Sequence, residues 1–366
     1  MSSVDFTSWV QGLARPAIVK LKAYSSARSI ATNANVYLDA NESPWTPFDG
    51  DEGATLNRYP DPQPAKIRES LASLYGVEAD HLILGRGADD SIDTLIRTFC
   101  ESGRNSVLIC APTYGVYGFY ADIQGVPVLS APLKSETFEL DPECVEQVWQ
   151  PGTSLIFLCS PNNPTANLLS ADAVEKVLRF AEGKSLVVVD EAYLEYSSAK
   201  SWAARLREFP HLVVLRTLSK AWSLAGARCG VAIASPQVIA LLQKVRAPYP
   251  LSTPQIQVIE KALRSGGEAR ARAHVAETTE LRRDLCGGLA RAAGRGLEKA
   301  FPSDANYVLF RLKDAQKLVA FCREKGILIR DRSGEPGLAG CVRISVGNAK
   351  ENAALVKTFQ EFYELS

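Results

Sequence analysis

The chain of 366 residues has no excess charge, 41 Lys and Arg against 41 Asp and Glu, and it has only three histidines. A formal charge of zero provides no sequence-wide field for nucleic acid or an anionic membrane, so a small-molecule partner recognised by local charges is expected. His81, His211 and His274 lie far apart without metal-ligand spacing, and no metal site is predicted. No uncharged run approaches the roughly 18–20 apolar residues of a membrane span. The opening MSSVDFTSWVQGLARP has neither a basic n-region nor a continuous apolar core of a signal peptide. Internal repeats, low-complexity tracts and long linkers are also missing.

The eight cysteines include no C-x-x-C pair, and several lie inside apolar runs such as SVLIC and SLIFLC. Buried free thiols are expected, and with them a soluble, cytoplasmic protein. At about 100–200 residues per domain, the length suggests one large domain or two unequal ones.

What the sequence does contain is alternation. PAKIRESLASLYG reads as a helix ending at Gly76, and HLILG as a short strand. In DDSIDTLIRTFCESG the apolar residues Ile92, Leu95, Ile96 and Phe99 have amphipathic helical spacing, with closure expected near Gly103. SVLICAP, TSLIFLCSP, SLVVVDEA, HLVVLRT and CGVAIA are near-continuous apolar runs, the pattern of strands buried on both faces of a mostly parallel sheet. Polar residues follow directly after them, at Thr113-Tyr114, Asn162-Asn163, Asp190-Glu191 and Ser219-Lys220. Ligands in open α/β sheets bind beyond the carboxyl ends of the strands, so these loops are expected to converge. After residue 255 long helical stretches precede NYVLFRL, GILIR and CVRISVG, which read as strands of a smaller α+β unit. The expected organisation is an N-terminal arm over 1–40 packed on the small domain, a large domain over 41–255 and a small one over 256–366.

Two phosphate motifs fail on inspection. GRGADD at 85–90 has Asp90 where a dinucleotide fingerprint needs its third glycine, although its turn still presents backbone N–H groups to an anion. Gly183-Lys184-Ser185 lacks the first glycine of a phosphate loop, Leu178 standing there.

The informative signal is a combination. Asp190 closes an apolar run, Tyr193 follows it, and Lys220 and Arg228 stand further on, with Tyr114 in APTYG and Asn163 in SPNNPT upstream. With LDANESP, NRYPDPQ, GRGADD, VVVDEAY, RTLSKAWSLAGARCG, APYPLS, ANYVLF and CVRISVG in this order, the chain resembles the class I/II aminotransferases, fold-type I pyridoxal-phosphate enzymes. Within that family it is most similar to those acting on histidinol phosphate. The resemblance implies an α/β fold with a large, mostly parallel sheet flanked by helices and a smaller α+β domain. It also implies pyridoxal 5′-phosphate and a homodimer with shared active sites.

Residue roles follow from the same resemblance. Lys220 would join the cofactor aldehyde as an aldimine and shuttle the substrate proton, and Asp190 would keep the pyridine nitrogen protonated. Tyr193 and Asn163 would bond the ring 3′-oxygen, and Tyr114 would stack on the ring. Arg228, Ser219, Thr217 and the backbone at Gly87, Ala88 and Asp89 would hold the phosphate, with Tyr59 reaching it from the other subunit. Arg343 would take the substrate carboxylate in a bidentate pair. Arg330, Tyr24, Tyr249 and Asn41 would line the substrate pocket, where a second arginine suits a phosphate-bearing tail. The family usually has glycine where Ala166 follows Pro164-Thr165, so positive φ at that position would cost alanine about 1 kcal/mol.

The implied reaction is ping-pong transamination of L-histidinol phosphate with 2-oxoglutarate, giving imidazole-acetol phosphate and L-glutamate. Its rivals are an aromatic amino acid aminotransferase and a threonine-phosphate decarboxylase. A non-catalytic DNA-binding relative finds no support in the balanced charge.

Overall fold

The computed structural model describes residues 3–26, 28, 36–50, 55–264 and 266–364. Seven strands form the main sheet: β1 (Leu82–Gly85), β2 (Ser106–Ile109), β3 (Val128–Ser130), β4 (Thr153–Cys159), β5 (Leu186–Asp190), β6 (Leu212–Thr217) and β7 (Gly230–Ala234). Their order is β1-β7-β6-β5-β4-β2-β3. Pairing is parallel from β3 to β6, and β7 alone runs the other way, antiparallel to β6 and β1.

The apolar runs explain this sheet. Every residue of β4, β5, β6 and β7 is buried. Alternate side chains enter opposite cores: Ile156, Leu158, Val187, Val189 and Val214 one, Leu155, Phe157, Val188, Val213 and Leu215 the other. Helices cover both faces, which is why these strands read as continuous rather than alternating runs.

Register aligns the chemistry. Cys159 pairs with Asp190, Asp190 with Leu215, Thr217 with Gly230, and Gly230 with Gly85. The carboxyl ends of β1, β4, β5 and β6 therefore lie along one edge of the sheet.

The helix predicted up to Gly76 spans Ala65–Tyr75, with Gly76 closing it at φ 67°. The helix after β1 spans Ala88–Phe99 and stops short of Gly103, because Cys100 is already extended at φ −118°. GILIR forms a strand only at β10 (Arg330–Asp331), which pairs with β11 (Cys341–Ser345) at the edge of a second sheet. That antiparallel sheet has the order β10-β11-β9-β8, with β8 at Leu297–Ala300 and β9 at Tyr307–Leu312. Leu285 and Leu289 of the helix Gly267–Ala293, Leu318 and Phe359 pack on it.

The N-terminal residues do not pack where the arm was expected. Phe6, Val10 and Ala14 bury against Ile92, Ile96, Val238 and Ile239 of the large sheet's helices. Arg15 N–H donates to the Thr98 carbonyl at 3.0 Å, and Lys244 Nζ donates to the Val19 carbonyl at 2.8 Å. The apolar spacing of the first helix is matched by that core rather than by the small sheet. Residues 29–35 of the arm lie outside the described residues.

The eight cysteines are all free, six of them buried. Among the described residues no helix is long and apolar enough to cross a membrane, and no group of metal-ligating side chains occurs.

Candidate active site

A cleft of about 450 Å³ opens at the carboxyl ends of these strands, walled by Asp89, Tyr114, Asn163, Asp190, Lys220 and Arg228 among others. Tyr193, Thr217, Ser219, Ala88 and Cys159 complete the lining. The loops predicted to converge do so.

One end is made for an anion. Gly87 sits at φ 91° and ψ 175°, a conformation only glycine adopts freely, and turns the chain into the 12-residue helix beginning at Ala88. A Cβ on Gly87 would stand 2.9 Å from Arg228 Nη2, and one on Gly230 would stand 2.4 Å from the Gly87 carbonyl carbon. The two glycines thus let three segments meet around the helix N-terminus, whose N–H groups and dipole favour negative charge. Arg228, itself at φ 50°, donates from Nη1 to Ser219 Oγ at 3.4 Å and faces Asp89 at 3.4 Å. Thr217 Oγ1 donates to Ser219 Oγ at 3.0 Å, which fixes both hydroxyls at this end.

The far end is a buried carboxylate. Asp190 Oδ2 accepts from Tyr117 Oη at 2.8 Å and Oδ1 from the Ala192 N–H at 3.0 Å. Burial nevertheless raises its pKa to about 6. Lys220 lies between the two ends, its amine 5.5 Å from the centre of the Tyr193 ring. Desolvation first, and then the neighbouring Arg343 and Arg228 charges, lower its pKa below the ordinary lysine value. A shift in that direction makes an amine more available as nucleophile and base.

Asn163 links the two sheets. Its Nδ2 points at Tyr193 Oη at 3.5 Å, and its Oδ1 accepts from Arg343 Nη1 at 2.6 Å. Arg343 on β11 is directly opposite Arg330 on β10 in the antiparallel register, so both side chains leave the same face. Ala166 does adopt positive φ, 68°, and is fully buried in the loop carrying Asn163.

Four expected residues are not brought to this cleft, and a fifth, Arg330, is exposed on β10 and is related to it only by its register opposite Arg343. Tyr24 is 70% exposed. Asn41 is exposed at φ 55°. Tyr59 stacks on Tyr249 at 4.6 Å, and Tyr59 borders a different cleft with Arg58, Pro60 and Asp61.

Conversely, sequence reasoning missed Tyr117 and Tyr307. Tyr117 stands in the first turn of the helix Val116–Gln124, three residues after Tyr114, and the two rings meet nearly edge-on at 5.6 Å. Tyr307 donates to the Asn162 carbonyl at 2.7 Å and meets Tyr193 edge-on at 5.1 Å, with the Arg343 guanidinium 5.5 Å above its ring.

The donor set fits pyridoxal phosphate. Anion-binding hydroxyls, a guanidinium and a helix N-terminus occupy one end, a carboxylate for a ring nitrogen the other, and an amine the space between. A wider cleft of about 860 Å³ behind β6, lined by Arg216, Trp222 and Tyr75, contains none of the expected residues.

An α/β sheet whose carboxyl edge carries such a cleft defines an enzyme that transforms small anionic molecules. The model of the aminotransferase class I and II family matches residues 30–359, and the chain belongs to that family. It is 44% identical over 353 residues to the histidinol-phosphate aminotransferase of Pectobacterium atrosepticum, covering 96% of this chain and 98% of that one. It is 40% identical over 354 residues to that of Salmonella choleraesuis, covering 97% and 98%. The crystal structure of histidinol-phosphate aminotransferase from Sinorhizobium meliloti in complex with pyridoxal-5′-phosphate superposes with a TM-score of 0.75 at 25% identity, covering 84% of this chain and 83% of that one.

Proposed function

We propose that this protein transfers the amino group of L-histidinol phosphate to 2-oxoglutarate, giving imidazole-acetol phosphate and L-glutamate, the amino-transfer step of histidine biosynthesis. The observation that carries the reading is the cross-strand pair Arg330 and Arg343, the latter bonded to Asn163 at the cleft. Like charges directly opposite on a sheet repel, and a ligand bearing two negative charges relieves that repulsion. Histidinol phosphate has a phosphate ester where an amino acid has its α-carboxylate, and 2-oxoglutarate has two carboxylates. Each substrate of the pair therefore brings about two negative charges. The 44% identical relative bears the name of this activity.

Pyridoxal phosphate, when bound, supplies an aldehyde that takes up the substrate amine and a pyridinium that accepts the electron pair left when the Cα proton departs. The protein's residues do the rest. Lys220 Nζ, which desolvation and the nearby Arg343 charge make easier to deprotonate, would take the proton from Cα and return it at the C4′ carbon. Asp190 holds the ring N–H, and Tyr193 with Asn163 bonds the ring oxygen. Arg228, Ser219, Thr217 and the backbone at Gly87, Ala88 and Asp89 fix the phosphate. Arg343 and Arg330 orient the anionic substrate group so that the Cα–H faces Lys220.

A homodimer completes the pocket. Tyr59, at 50% exposure, and Tyr24 at 70% stand away from their own cleft, as residues serving a second copy would. Residues 41–255 form the cofactor-binding domain in this reading, and 256–366 the smaller domain carrying Arg330 and Arg343.

Steady-state kinetics test the substrate. Histidinol phosphate should exceed phenylalanine and tyrosine as amino donor, and clear preference for the aromatic amino acids would make the protein an aromatic aminotransferase. Glutamate should form without release of carbon dioxide, which separates it from a threonine-phosphate decarboxylase. The purified protein should be yellow, with a visible band that borohydride abolishes and Lys220→Ala lacks.

A further inference from the structure

Asp190 is held by Tyr117, a residue fully buried beneath the cleft. The Tyr117 ring lies 4.7 Å from Phe157 and only 12° from parallel, and it meets Tyr114 nearly edge-on at 5.6 Å. Clamped between them, it has one direction in which to point its hydroxyl, and Asp190 Oδ2 is there at 2.8 Å. The other oxygen of Asp190 takes the Ala192 N–H at 3.0 Å. Neither donor is a cation, so the carboxylate is favoured by two hydrogen bonds from uncharged donors against a desolvation that opposes its charge. Burial and the adjacent carboxylate push the Tyr117 pKa well up, so the phenol keeps its proton and acts only as donor.

We propose that Tyr117 is a positioning residue for Asp190: its hydroxyl orients the carboxylate and favours its ionised form, so that a proton shared with a ring nitrogen in the cleft resides on the nitrogen. This rests on reading the cleft as a pyridoxal-phosphate site. A hydrogen bond to the charged form of a carboxyl favours that form, and losing one shifts the shared proton back toward oxygen.

Tyr117→Phe keeps the ring, its stack on Phe157 and nearly its volume, removing the hydroxyl alone. Wild type and variant are loaded with pyridoxal phosphate carrying nitrogen-15 in the ring, and the ring-nitrogen chemical shift and cofactor dissociation constant are measured. The wild type should show a protonated nitrogen. In Tyr117→Phe the shift should move toward the unprotonated value and the dissociation constant should rise about tenfold, the usual scale for one charge-assisted hydrogen bond. Phe157→Leu disturbs the stack but leaves the hydroxyl, and its ring-nitrogen shift should stay near wild type. An unchanged nitrogen shift in Tyr117→Phe overturns the proposal, as does an equal displacement in Phe157→Leu, which would assign the effect to packing. If wild type itself binds no pyridoxal phosphate, the reading of the cleft falls, and this inference with it.

Discussion

Arg343 Nη1 donates to Asn163 Oδ1 at 2.6 Å, and this contact ties the antiparallel sheet to the loop that follows β4 of the large one. Tyr307 reinforces it from below, donating to the Asn162 carbonyl while its ring faces the Arg343 guanidinium. The Asp304 N–H also donates to the Ala166 carbonyl at 2.7 Å, and Asp304 Oδ2 accepts from the Leu168 N–H at 3.0 Å. Arg343 and the Asn163 loop are therefore one mechanical unit, although 180 residues separate them.

That coupling predicts a signed change in pH dependence. The Arg343 charge is the second-largest influence lowering the Lys220 pKa, after desolvation. A cation disfavours a neighbouring ammonium, so Arg343→Gln should raise the pKa of the lysine toward its ordinary value. The rate at which cofactor-free protein captures pyridoxal phosphate, followed against pH, should show a higher midpoint in the variant. An unchanged or lower midpoint would remove Arg343 from the electrostatics of Lys220.

Arg330→Ala separates the two substrates. A phosphate dianion loses more than a carboxylate when one guanidinium is withdrawn, and a charge-assisted hydrogen bond contributes about 1.5–3 kcal/mol. kcat/KM for histidinol phosphate should fall about 10- to 100-fold, and that for 2-oxoglutarate by less. Equal losses on both substrates would mean that Arg330 does not read the phosphate.

Behind the cleft, Arg216 and Glu191 form a buried pair at 2.8 Å, on the strand ends adjoining Thr217 and Asp190. Glu191 is fully buried and keeps the Ser201 hydroxyl and Trp202 N–H, each at 2.6 Å, if the arginine is removed. Removing one partner of a buried pair strands the other charge, and Arg216→Met should cost about 3–5 kcal/mol in denaturant unfolding. Burial already raises the Glu191 pKa above its unfolded value. Without the arginine it rises further, so the folded variant binds a proton more readily than the unfolded chain does. Its deficit should be greatest at neutral pH and shrink as pH falls through that raised pKa. Adding Glu191→Gln should recover part of the loss, and a deficit that ignores pH would deny the stranded charge.

The legible part of the fold was the part with continuous hydrophobic runs. β4 through β7 could be read because burial on both faces demands apolar residues at every position, and Asp190 and Lys220 stood out by falling at or just beyond the ends of those runs. Tyr117 and Tyr307 were illegible for the opposite reason: each is a buried aromatic indistinguishable by composition from core, and only its hydroxyl's partner, far away in sequence, reveals its use. The packing of the first helix was misjudged because an amphipathic face specifies that it must be covered, not by which sheet. Tyr59 and Tyr249 were found as motif residues, but in this chain they stack on each other away from the cleft, a placement that no local pattern encodes.

Ala166 offers a test in which two effects nearly cancel. At φ 68° a non-glycine residue carries about 1–2 kcal/mol of strain, and glycine would relieve it. The same substitution deletes a fully buried methyl, worth about 0.8 kcal/mol, and loosens the unfolded chain by a further 0.4–1 kcal/mol or so. Ala166→Gly should therefore lie within about 1 kcal/mol of wild type in chemical denaturation. Ala166→Val has no such compensation: a β-branched side chain resists positive φ, and Tyr193, Tyr196 and Tyr307 in the same core cluster leave it no room. It should cost at least about 2–3 kcal/mol and, by shifting the Asn163 loop against Arg343, raise KM more than it lowers kcat. A valine variant with wild-type stability would show that the backbone here rearranges freely, and the link between this turn and Arg343 would then be lost.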